Sequence, residues 1–469
     1  MYYYYYEEQP VVNNMNSTNL KAITITNLFG RNDVTLKFDK EVSIYIGENG
    51  LGKTTILNCV YYVLTKKYDK LSSIVFDEII VEFYNDECNR YTINKSDIRE
   101  YYMTSHRRMQ QIGMVEHMVS EYLEEYSRSL NDEETIEMCI RRIARIMDIP
   151  SVVVRQYVYD YINQEKGITM KKRGDKKNIE KLNAAIDKNI TQKVIYFTTY
   201  RRIENDFSQL IEKGVVKDND LLIRFGMKDV EESIERILNL IRDNARESFN
   251  KMTGVLLKQY SSIGRKRRKI KKQIDRDMLK IIFDRLGNQI EEKDRNNIFE
   301  LLDNEQIYND EYSYLLNLIL NLISSYEKYK IYDDKIKNFT ETCNKYLNGK
   351  RFEYNQSELK LSIKMYNDKE TDENIQLSNL SSGEKQIVSL FSKLYLENEK
   401  DSIIIIDEPE LSISMKWQKM LLPDVMRSEN CKLLLTVTHS PFIFDNEFDM
   451  DAKEMRHCIS SSLKYKSFK

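Results

Sequence analysis

The segment Ile44-Tyr45-Ile46-Gly47-Glu48-Asn49-Gly50-Leu51-Gly52-Lys53-Thr54-Thr55 constrains this chain more than any other. It has the form G-x-x-x-x-G-K-[ST]. The apolar run at 42–46 predicts a buried strand, and residues 55–64 predict a helix that starts on the loop. Gly47, Gly50 and Gly52 allow a backbone to wrap a phosphate with its N–H groups facing inward. A helix N-terminus adds partial positive charge at the same point. Lys53 is placed to reach β- and γ-phosphates, and the Thr54 hydroxyl to ligate Mg²⁺. The loop residues from Gly47 to Thr55, with Glu48, Asn49 and Leu51 among them, are therefore candidates for holding ATP. The plainer alternative is a glycine turn between strand and helix. Only 14 glycines occur in 469 residues, so three within six positions argue against it.

Composition narrows the classes. Lys and Arg number 72 against 74 Asp and Glu, a formal charge of -2. A nucleic-acid site would have to be a local patch. A charged fraction of 31% fits a soluble protein rich in exposed helix. The six cysteines (Cys59, Cys88, Cys139, Cys343, Cys431, Cys458) are scattered without C-x-x-C, which points to a reducing, cytoplasmic setting rather than a zinc site or disulfide framework. No stretch approaches 18 apolar residues, so no membrane span is expected. The 32 tyrosines have a bland account in an AT-rich coding sequence.

Along the chain, residues 1–18 read as a disordered tail, with Met1 or Met15 as the start. Residues 19–100 read as the first part of a nucleotide-binding head, with strands at 21–30, 34–38, 78–84 and 90–93. From 101 to 349 glycine and proline nearly vanish and helical spacing dominates. Helices are expected at 114–130, 133–147 and 152–162, and a basic link at 171–177. This insertion falls into two parts, 101–190 and 206–350. Between them, at 191–205, Val194-Ile195-Tyr196-Phe197 returns a strand to the head. In the second part, apolar residues recur every three or four positions from Val230 to Leu256 and again from Leu315 to Tyr346. The latter series has a coiled-coil period with Asp333 at one seam position. A protruding arm and a compact bundle both fit. Arg265 to Lys272 holds seven basic residues in eight positions, either a solvated face or a contact for phosphate backbone or an acidic protein. The head resumes over 351–469.

Four further features complete a site. Ser381-Ser382-Gly383-Glu384 opens an apolar helix, a second anion-binding turn. Ile403-Ile404-Ile405-Ile406 is a buried strand ending in Asp407, placed to hold Mg²⁺, and Glu408, placed as a general base for water. Leu433 to Val437 is another strand, ending at Thr438-His439-Ser440, where His439 could contact the γ-phosphate. Each alone has an ordinary reading as a cap, a strand end or a turn. Their order after a phosphate loop makes the joint coincidence remote.

The set Gly47–Thr54, Ser381–Gln386, Asp407–Glu408 and His439 resembles an ABC-type ATPase head of the branch that includes RecF, SMC and OLD-type proteins. The resemblance covers residues 20–100 and 355–445. It implies an α/β P-loop fold (a mixed sheet with flanking helices) carrying a large helical, partly coiled-coil insertion. It also implies at least a homodimer, in which Ser381 and Gly383 of one copy close over ATP held by another. The family's glutamine loop has no clear match; Gln110 and Gln111 are weak candidates.

A narrower resemblance, carried by Tyr196-Phe197-Thr198-Thr199-Tyr200-Arg201-Arg202-Ile203-Glu204 and by the length of the insertion, is to the ATPase subunits of two-gene anti-phage systems of the PARIS, Septu and retron-linked kinds. It implies a sensor or scaffold that holds a separate effector, a Toprim-like or HNH nuclease, and releases it on a phage-encoded trigger. OLD-type nucleases carry a Toprim domain after the head, whereas 30 residues follow His439 here, too few for one. The alternative is a DNA-repair or chromosome-maintenance ATPase that binds DNA through its helices and the 265–272 run.

Overall fold

The computed structural model describes residues 18–48, 50–86, 88–105, 133–147, 175–198, 227–261, 274–287, 290–366, 373–397, 401–428 and 430–461, with four positions between 151 and 158. The N-terminal tail, Asn49, the helix expected at 114–130, Gln110 and Gln111, Arg201 and Arg202, and the basic run 265–272 lie outside the described residues. The chain divides into two compact units: residues 1–199, 400–410 and 418–469, and residues 200–399 with 411–417.

The first unit holds two five-stranded sheets. Its strands are β1 (Leu20–Leu28), β2 (Asn32–Lys37), β3 (Val42–Ile46), β4 (Glu78–Phe83), β5 (Arg90–Asn94), β6 (Lys193–Phe197) and, as the chain returns, β10 (Ser402–Asp407), β11 (Cys431–Thr438), β12 (Ala452–Glu454) and β13 (Ile459–Ser461). One sheet has the order β12-β3-β11-β10-β6 and all its pairings are parallel. The other, β13-β2-β1-β4-β5, is antiparallel throughout. The mixed character expected from the sequence is thus divided between two sheets.

Strand composition follows these roles. All six residues of β10 are buried, as a central parallel strand covered on both faces requires. The β6 strand interrupting the helical region pairs with β10 from Lys193 opposite Ser402 to Phe197 opposite Ile406. Helix Lys53–Leu64 buries Ile56, Leu57, Val60, Val63 and Leu64. Its Tyr61 ring lies 5.2 Å from that of Tyr196 on β6.

The Lys176–Asn189 helix replaces part of the basic link expected at 171–177. Asp175 caps it by accepting from the Lys177 N–H, and Ile179, Leu182 and Ile186 face inward. Asp97, itself buried, accepts from the backbone N–H of Asp175 at 2.7 Å and fixes the entry of this helix.

The second unit contains the long helices Lys228–Ser261 and Ser313–Asn344, with Arg276–Leu286 and Glu292–Asp303. A hairpin sheet of β7 (Lys350–Asn355), β8 (Lys360–Met365) and β9 (Glu373–Ile375) belongs to it. Among the described residues the long helices form a bundle. Leu279, Ile282 and Phe283 pack with Ile319, Leu322 and Ile323 in one core. Asp333, at the polar seam position, is fully buried and paired: Arg285 donates to it at 2.6 Å, and so does the Tyr354 hydroxyl of β7 at 2.6 Å.

Candidate functional site

The C-terminal ends of β3, β10 and β11 lie side by side, which is where open parallel sheets gather ligand-binding groups. Beyond β3 the chain turns through the glycine loop into the Lys53–Leu64 helix. Gly50 and Gly52 have φ of 88° and 77°, values that side chains with a Cβ resist. A Cβ on Gly52 would lie 2.6 Å from the Phe29 ring, and one on Gly47 3.1 Å from the Cβ of Met455.

Lys53 is buried and folds back along the loop. Its ammonium donates to the carbonyls of Gly47 and Glu48, both at 3.0 Å, and lies 2.5 Å from Nε2 of His439. An ammonium has only donors, so Nε2 is the acceptor. Burial pushes the Lys53 ammonium below its ordinary value, and the carboxylates of Glu408, Asp407 and Glu410 oppose that shift.

Thr54 Oγ1 donates to Asp407 Oδ2 at 2.7 Å. This hydroxyl and carboxylate are hard oxygen donors, the set that suits Mg²⁺ completed by water and phosphate oxygens. Among the described residues no group of three or more His, Cys, Asp or Glu side chains could hold a metal alone. Glu408 follows at φ 50°, a left-handed turn just past the strand, and its Oε1 lies 3.8 Å from His439 Nε2. Lys53, Thr54, Asp407, Glu408 and His439 are therefore brought together within one unit, although Thr54 and Asp407 are 353 positions apart in the chain.

Ser381, Ser382, Gly383 and Glu384 belong to the second unit. Ser381 caps the Ser382–Phe391 helix in a capping box with Glu384. Lys350 binds the Glu384 carboxylate at 2.7 Å. Burial would raise the Glu384 carboxyl, but the hydrogen bonds from Lys350 and from the Ser381 N–H outweigh it and hold it below its ordinary value. A Cβ on Gly383 would collide with the carbonyl oxygen of Ser412.

Sequence reasoning passed over two neighbours of the loop and one of the histidine. Phe29 packs its ring on Gly52, and Arg456 donates to the Glu48 carboxylate at 2.6 Å. Glu410 accepts from the Thr438 hydroxyl at 2.7 Å and from the His439 N–H at 2.6 Å. Neither Phe29 nor Arg456 belongs to a spacing pattern. Glu410 lies in the run Asp407-Glu408-Pro409-Glu410-Leu411-Ser412, whose form resembles the family's, but the contacts it makes are not legible there.

A model of the AAA ATPase domain matches residues 19–444. The chain belongs to that family. This AAA ATPase is also 33% identical over 89 residues to the DNA replication and repair protein RecF of Agathobacter rectalis, 19% of this chain and 24% of the relative. The chain thus spans about a quarter of the RecF length. Among solved structures it is similar to the Smc head domain from Pyrococcus furiosus bound to the C-terminal domain of ScpA, with 12% identity and a TM-score of 0.33 over 94% of this chain and 96% of that one. The Smc head with coiled coil and joint from Pyrococcus yayanosii gives 14% and 0.32 over 91% and 93%. Among the described residues, no helix of the AAA ATPase is long and apolar enough to cross a membrane.

Proposed function

We propose that this ATPase binds Mg²⁺-ATP on the Gly47–Thr55 loop and hydrolyses it with Glu408 as general base and His439 as the γ-phosphate contact. The observation that supports this most is the pair of short links across the site, Thr54 to Asp407 at 2.7 Å and Lys53 to His439 at 2.5 Å. Lys53 exchanges its loop carbonyls for phosphate oxygens when the nucleotide enters. Thr54 and Asp407 would hold Mg²⁺, which supplies charge neutralisation of the β- and γ-phosphates when bound. Glu408 takes the proton from the attacking water, and His439 orients that water against the phosphate.

The larger role we propose is that of a sensor and scaffold in a two-gene defence system of the PARIS kind. In this reading two or more copies close around ATP, with Ser381 to Glu384 of one copy facing the phosphates of another. They hold a separate nuclease until a phage product is sensed. The sequence between Tyr196 and Glu204 supports this reading. The RecF relative supports a second one, DNA maintenance. The two separate in a simple assay: co-purification with the product of a neighbouring nuclease gene favours defence, and stimulation of turnover by DNA, lost when 265–272 is neutralised, favours repair.

For the chemistry, Lys53→Ala is expected to abolish binding of a fluorescent ATP analogue. Glu408→Gln should bind it with wild-type affinity while turnover falls by about 10²-fold or more. Wild-type turnover in Glu408→Gln would remove Glu408 as the base.

A further inference from the structure

His439 stands just beyond the ordered ladder of its sheet. The pairing of β11 with β3 ends at Thr438 opposite Ile46, and that with β10 at Val437 opposite Asp407. No strand bond therefore fixes the peptide of His439. Its N–H donates instead to Glu410 Oε1 at 2.6 Å. The other oxygen of the same carboxylate accepts from Thr438 Oγ1, a fully buried residue, at 2.7 Å. Thr438 Oγ1 in turn accepts from the Ser440 N–H at 3.0 Å, and the Ser440 hydroxyl donates to Gln418 at 2.6 Å. The turn at Glu408, with its positive φ, brings Glu410 back over the end of the adjacent strand. Bonds from an ionised acceptor to a backbone N–H are among the stronger and more directional ones.

We infer that Glu410 is a positioning residue for ATP hydrolysis: it holds the His439 backbone so that the imidazole points at the Lys53 and phosphate position. It touches no reacting atom. The inference rests on the ATP-hydrolysing reading above. Its negative charge also acts on Lys53, so charge and geometry must be separated. Glu410→Gln does this. The amide oxygen can still accept from the His439 N–H, and its NH₂ can donate to Thr438 Oγ1, whose own proton can turn to the Ser440 carbonyl at 3.4 Å.

The test is a double-mutant cycle on the full chain, with ATP turnover and binding of a fluorescent ATP analogue measured for wild type, Glu410→Ala, Glu410→Gln, His439→Ala and Glu410→Ala/His439→Ala. Loss of backbone aim is expected to lower kcat about tenfold or more in Glu410→Ala, with the nucleotide Kd within about threefold of wild type. Glu410→Gln should stay within about threefold in kcat. In the His439→Ala background the Glu410→Ala change should cost less than about twofold, because there is no imidazole left to aim. An equal cost in both backgrounds, or a Glu410→Ala enzyme with wild-type kcat, overturns the inference while the ATPase reading stands. Wild-type turnover in His439→Ala overturns the role given to His439 and the inference with it. If Glu410→Ala does not fold, Glu410→Asp takes its place. It keeps the charge but shortens the reach by one methylene, and the same non-additive loss is expected.

Discussion

Two demands fall on Gly52. Its φ of 77° is left-handed, and the Phe29 ring occupies the space a Cβ would need, at 2.6 Å. Gly52→Ala should therefore cost about 1–2 kcal/mol from the backbone alone, with a further penalty for moving Phe29. Adding Phe29→Ala relieves the second term and not the first, so thermal melts of the single and double variants should recover stability only in part. Full recovery would show that crowding was the whole effect. The residues of the loop, Asp407, Glu408 and His439 were legible because phosphate chemistry demands particular residue types at particular spacings. Phe29, Glu410 and Arg456 were not. They act through contacts made 23 to 408 positions away, and no local pattern records such a contact.

The Ser382–Phe391 helix shows how an element is held at its start. Ser381 accepts from the Glu384 N–H, Glu384 accepts from the Ser381 N–H, and Lys350 completes the carboxylate's bonds. Ser381→Ala should cost about 0.5–2 kcal/mol in unfolding free energy. The depressed Glu384 carboxyl gives the pH sign. Its folded value lies below the unfolded one of about 4.3, so its contribution is present above that pH and is lost as pH falls through the folded value. Denaturant midpoints of wild type and Glu384→Gln should thus differ at pH 7 and converge on acidification. A gap that nowhere narrows as the pH is lowered would assign the difference to packing instead. Most strands were readable at this scale from runs of Ile, Leu and Val. The Lys176–Asn189 helix was not, since the lysine-rich start hid the Ile179, Leu182, Ile186 face and its anchor, Asp97, lies far upstream.

Across the whole molecule, two units carry different halves of the proposed mechanism. In the second unit the heptad spacing of Leu315 to Tyr346 left an arm and a bundle equally open. The spacing cannot say which surface meets the seam; among the described residues Arg285 and Tyr354 meet it at Asp333. Asp333→Ala should leave Arg285 buried without its partner and cost about 3–5 kcal/mol, measured by chemical denaturation. The phosphate loop lies in the first unit and the Ser381–Glu384 turn in the second, so the proposed closure of two copies around ATP calls on both. Glu408→Gln with Mg²⁺-ATP should accumulate that closed state and sediment at twice the monomer mass or more, reverting when EDTA is added. Ser382 supplies the control. It is exposed in the first turn of its helix, where an added carboxylate suits the helix dipole but would repel a facing triphosphate. Glu408→Gln/Ser382→Glu should therefore fold and bind ATP as before yet remain monomeric. If that double variant still assembles with ATP, or if assembly needs no nucleotide at all, the contact between copies is made by some other surface and the trans arrangement of the signature turn is wrong.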